Sequence, residues 1–206
     1  MTVDERAHKP RRALSTTGRG LFLLALTMLA SCGGSGGNPL GNPPNVSNPG
    51  GTTGQKLAFA YFQRCINPIF FTQIGTNTCG ASGCHDNING TGGALRVIPG
   101  AQVIDVTNAA NTPDVIRASD MYKNFFSAQG QVLLASPQDS RLLNKPLVRG
   151  VLHGGGQIFA SDQDPLVKLI EYWITHPAPL GQDEFSTTTY SMFTPADPNA
   201  GTCNTQ

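Results

Sequence analysis

The 206-residue chain is short of charge, with Asp, Glu, Lys and Arg making up 13% of it, and it holds a single tryptophan. No run reaches the about 20 consecutive apolar residues that a membrane-crossing helix needs; Leu21 to Ala30 falls well short. No cluster of basic residues marks a nucleic-acid surface, and no block of one sign marks a strongly polyionic partner. There is no internal repeat. Clean alternating runs are few, so a large sheet is not expected. No general acid–base constellation and no nucleophile arrangement stands out, which argues against an enzyme. What the chain does hold is 24 glycines, 15 prolines and five cysteines.

The first 31 residues read as a targeting segment rather than as structure. Basic residues (Lys9, Arg11, Arg12, Arg19) precede the apolar run, which has the length of a signal-peptide core. It ends in Leu29-Ala30-Ser31-Cys32, which resembles the lipobox of bacterial lipoproteins. The resemblance implies cleavage after Ser31, acylation of the Cys32 sulfur and anchoring in the bacterial cell envelope. Gly33 after the cysteine, in place of aspartate, leans towards the outer membrane, with the domain facing the periplasm or the surface. The alternative is an ordinary secreted protein. Trimming changes the charge: the leader holds five of the fourteen Lys and Arg but two of the thirteen Asp and Glu, so the remainder carries nine basic and eleven acidic residues, net −2.

Residues 32–55 are dominated by Gly, Pro, Asn and Ser and cannot bury enough apolar surface to offset the entropy of ordering. They read as a tether with an end-to-end distance on the order of 25 Å. Residues 56–180 have the composition of one globular domain. A helix is expected over Lys56 to Phe71, with Leu57, Tyr61, Phe62 and Cys65 on one face and Pro68 ending or kinking it. Thr112-Pro113 and Asp164-Pro165 pair an N-cap with proline at the first helical position, opening helices that run to Phe126 and Thr175. Ser136-Pro137 repeats the signal before a short segment. Residues 101–106 and 131–134 are candidate short strands. The fold expected is mostly α with long glycine-rich loops, followed by a polar tail, 181–206.

The chemistry gathers in Cys79-Gly80-Ala81-Ser82-Gly83-Cys84-His85. Two thiols can form thioethers with the vinyl groups of a haem, and an imidazole beside the second can ligate its iron. The usual spacing is C-x-x-C-H. Here four small residues separate the cysteines, and the extra pair can bulge out without moving either sulfur. Two other readings are open: zinc held by Cys79, Cys84, His85 and a further histidine, or a Cys79–Cys84 disulfide.

The order of segments extends the comparison. Asn67-Pro68-Ile69, the Cys-His cluster, Gly92-Gly93-Ala94-Leu95, Ser140 to Pro146, His153-Gly154-Gly155 and a Trp173-Ile174 helix follow one another over about residues 56–180. The chain in this respect resembles bacterial cytochrome c-like domains of the C-x-x-x-x-C-H type. The resemblance implies a cytochrome c-like helical fold, haem c with its iron at Cys79, Cys84 and His85, and one-electron exchange with periplasmic or membrane redox partners. It implies no nucleic-acid partner. In that family the segment before the last helix commonly supplies the distal ligand, often methionine; here His153 stands there, and no methionine lies between Met121 and Met192. His85 and His153 are therefore the expected iron ligands. Met121 reads as core, His176 as a helix-end cation, and Met192 as part of the polar tail. An open distal side would instead suit a peroxidase-like enzyme. With Cys32 acylated and Cys79 and Cys84 on haem, Cys65 and Cys203 remain, either as a disulfide or as two free thiols.

Overall fold

A computed structural model describes residues 54–76 and 78–206. Cys32, the targeting segment and nearly all of the tether lie outside the described residues.

The first helical stretch starts at α1 (Phe59–Tyr61), widens into a π-helical turn (Phe62–Ile66) and tightens into a 3-10 turn (Asn67–Phe71). Pro68 explains the change: it has no N–H to continue the ordinary ladder, and the Asn67 N–H bonds back to the Phe62 carbonyl. No side chain caps α1. Its first N–H donates instead to the Glu184 carbonyl, at 2.9 Å.

Next come α2 (Pro113–Ala118) and α3 (Asp120–Gln129). The composition predicts a single helix here. Ser119 divides it, because its backbone is extended while its hydroxyl caps the Tyr122 N–H at 3.1 Å. A 3-10 turn (Pro137–Asp139) and α4 (Arg141–Asn144) follow. The last long helix, α5 (Pro165–Thr175), opens with the Asp164 carboxylate accepting from the Leu166 N–H. Helix α5 packs on this first helical stretch through Trp173, which is fully buried. Its indole N–H donates to the Ala58 carbonyl at 3.0 Å, and its ring centre lies 5.4 Å from that of Phe62.

Neither candidate strand forms. Over residues 101–106 the edge is met by a side chain: the Gln63 amide accepts from the Ile104 N–H and donates to the Ile104 carbonyl. Residues 131–134 turn because the Ser140 hydroxyl and the Leu142 N–H take up their backbone groups. The small antiparallel sheet lies in the tail, where β1 (Phe193–Thr194) pairs with β2 (Thr202–Cys203).

That tail is polar by composition, yet it is bound into the domain core. Met192 and Phe193 are buried, and the Tyr61 hydroxyl donates to the Asn204 carbonyl. Cys65 and Cys203 form a disulfide, with Cα atoms 6.0 Å apart. Glu184 is buried and accepts from the Tyr122 hydroxyl at 2.8 Å and from Arg117 at 3.2 Å. A few apolar anchors, one acid and one covalent link offset the many polar residues around them.

Candidate functional site

Helix α3 positions the site through two polar residues on its buried face. Asn124 exchanges hydrogen bonds with Ile98, accepting from its N–H at 2.6 Å and donating to its carbonyl at 3.0 Å. Ser127 accepts from the Arg96 N–H at 2.7 Å. These bonds fix the extended segment 95–98. That segment pairs in parallel with the chain just after the cysteines: Val97 N–H donates to the His85 carbonyl and Asn87 N–H to the Val97 carbonyl. The backbone of His85 is thereby held from two sides.

Between the cysteines the chain makes a closed loop. The Gly80 N–H reaches the Phe70 carbonyl at 2.7 Å, and the His85 N–H reaches the Cys79 carbonyl at 3.0 Å. Ser82 and Gly83 protrude into solvent. Glycine is required close by: a Cβ on Gly92 would lie 2.7 Å from two atoms of the His85 ring, and one on Gly80 would meet the Phe71 ring. The thiols of Cys79 and Cys84 are free and half-buried. Burial first, and then the neighbouring Cys84, push the Cys79 thiol pKa up.

The His85 side chain is buried, with Nδ1 3.1 Å from the Leu95 carbonyl oxygen. That contact makes Nδ1 the protonated nitrogen and leaves the Nε2 lone pair for a ligand. Burial lowers the His85 pKa and favours the neutral, ligating form. His153, on the loop after α4, repeats the arrangement: its Nδ1 lies 2.7 Å from the Gly156 carbonyl oxygen. The two imidazole centres are 6.2 Å apart, and their planes are within 8° of parallel.

Cys79, Cys84, His85 and His153 line one cavity of about 400 Å³, floored by Gly92 and Gly93. A smaller cavity of about 50 Å³ adjoins it, sharing Cys79, His85, Gly92 and His153, and is walled by the apolar side chains of Phe70, Leu142, Phe159 and Ile170. No known family, curated protein or solved structure matches the chain.

The other candidates lie apart from this cavity. Met121 and Met192 are in the core, and His176 stacks on Tyr172 with ring centres 3.8 Å apart. Cys32 is outside the described residues. Lys145 lines both cavities and Arg141 the smaller one, and neither is within ion-pair distance of an acid among the described residues. The sequence alone assigned no role to Asn124, Ser127 or the Leu95 carbonyl. The first two carried a signal, as polar residues inside the apolar stripe of α3; the Leu95 contribution is a backbone carbonyl, which leaves none.

Proposed function

We propose that the chain is a c-type cytochrome with two histidine ligands, carrying one covalent haem for one-electron transfer. Bound haem would supply an iron that takes up and releases a single electron. The observation that carries this reading is the pairing of His85 and His153, each with Nδ1 engaged by a carbonyl. Two imidazoles sharing one metal ion at bonds of about 2 Å, with each ring centre about 1.1 Å beyond its nitrogen, have centres about 6 Å apart. The observed 6.2 Å is compatible with that separation.

The rest of the cavity suits the same group. Cys79 and Cys84 would each add S–H across a vinyl double bond, with the sulfur bonding to one carbon and the hydrogen going to the other. The apolar wall of the adjoining cavity would shield one side of the group from water, and Arg141 and Lys145 would offer charge to the two carboxylates of the macrocycle. Zinc has less support: among the described residues no three His, Cys, Asp or Glu side chains gather closely enough to hold a metal ion. A porphyrin needs only two ligands from the protein, because it brings four of its own. His153 standing opposite His85 favours electron transfer over peroxidase-like chemistry. The lipobox-like segment supports an envelope protein, anchored through Cys32 and exchanging electrons with periplasmic or membrane partners.

The test is expression of the chain alongside haem-maturation machinery, followed by a reduced pyridine haemochrome spectrum and an intact mass. Covalent haem with a low-spin spectrum is expected. Absence of haem from a folded, exported product would overturn the proposal. His153→Ala should convert the spectrum to high-spin, and an unchanged low-spin spectrum would remove His153 as a ligand.

A further inference from the structure

Arg96 is a buried cation beside the site. Its residue is 5% exposed, and among the described residues no carboxylate lies within ion-pair distance of its guanidinium. Nη1 donates to the Leu95 carbonyl oxygen at 3.1 Å, the same oxygen that lies 3.1 Å from His85 Nδ1. One carbonyl therefore serves both a buried cation and the imidazole. Asp86, the nearby acid, is occupied differently: its carboxylate accepts from the Ile88 and Asn89 amides.

We propose that Arg96 is a positioning residue that sets the redox potential of the site by sharing the Leu95 carbonyl with His85 and by placing a buried positive charge beside it. This rests on the haem reading. Two effects act in the same direction. A carbonyl already polarised by a guanidinium is a weaker acceptor for the imidazole N–H, so the ring passes less electron density to its metal. A fixed positive charge in a poorly solvated interior also disfavours the more positive, oxidised state of the iron. Both raise the potential. They would offset the low value that two imidazole ligands otherwise favour.

The experiment is a spectroelectrochemical titration of the haem-loaded wild type beside Arg96→Gln, Arg96→Met and Arg96→Lys. Arg96→Gln and Arg96→Met should keep the low-spin spectrum while their midpoints fall. At the wild-type midpoint the ferric-to-ferrous ratio should rise about tenfold, which is about 59 mV for one electron. Arg96→Lys keeps the charge and should stay within threefold of wild type. Low-spin, fully loaded Gln and Met variants with wild-type midpoints would overturn the proposal. So would a Lys variant that shifts as far as they do. If only the Lys variant loads, its midpoint decides. If none of the three folds while the wild type loads, Arg96 is a folding residue and the proposal fails. A wild type without haem would sink the haem reading itself.

Discussion

The contact between Gly92 and His85 allows a graded steric test. A Cβ added at Gly92 would sit 2.7 Å from His85 Cε1 and Nδ1 and 2.8 Å from the Cys84 carbonyl oxygen, whereas ordinary contact begins near 3.4 Å. Gly92→Ala therefore demands a shift of about 0.7 Å from a ring held at Nδ1 and a backbone held by pairing. Overpacking of this kind costs about 1–3 kcal/mol. In a domain of this size that corresponds to a fall in Tm of about 2–12 °C. The shift also presses on the ring at the edge that bonds Leu95, so ligation should suffer together with stability. Gly155→Ala is the intermediate case, with His153 Cε1 at 3.2 Å on an exposed loop, and Gly154→Ala meets nothing within 4 Å. Thermal unfolding of the apo-protein and haem yield should rank the three as Gly154, Gly155, Gly92 in increasing damage. Wild-type haem yield and Tm in Gly92→Ala would refute the placement of the His85 ring.

Three further outcomes are expected. Cys203→Ser opens a link spanning 138 residues; loop-closure entropy puts the loss at up to about 5 kcal/mol, read as a lower denaturant midpoint. Glu184→Ala leaves the Arg117 guanidinium and the buried Tyr122 hydroxyl without this acceptor. About 3 kcal/mol should be lost, visible in the same assay, and Glu184→Gln should recover part of it. Burial raises the pKa of both Tyr61 and Tyr122 above the ordinary tyrosine value, and Glu184 adds to the effect at Tyr122. The unfolded chain then releases these protons at lower pH than the folded one, so this contribution is complete below about pH 10 and declines as pH rises beyond it. A denaturant midpoint that stays flat from pH 9 to 11 would contradict this.

What could be read from the sequence was what local chemistry decides. Thr112-Pro113 and Asp164-Pro165 start helices because cap and proline act within one turn. Cys79, Cys84 and His85 lie within seven residues of one another in the chain, and the glycines after His153 mark a loop. The missed features depend on distant partners. Ser119 breaks a helix whose periodicity continues through it. Gln63 satisfies the edge at residue 104 from 41 residues away. The tail looks unstructured until Phe193, Glu184 and Cys203 are seen against the core. The carbonyl that orients His85 belongs to a leucine, and any residue could have supplied it.

The two histidines are held by different kinds of support. His85 is secured through segment 95–98 to helix α3, with its backbone tied to Val97, and so belongs to the rigid body of the domain. His153 and Gly156 bond to each other within a single loop turn, and the neighbouring Leu152 projects into solvent. Of the two, the His153 turn has fewer ties to the core. On the proposed haem reading, a small competing ligand such as cyanide or free imidazole should displace His153 before His85.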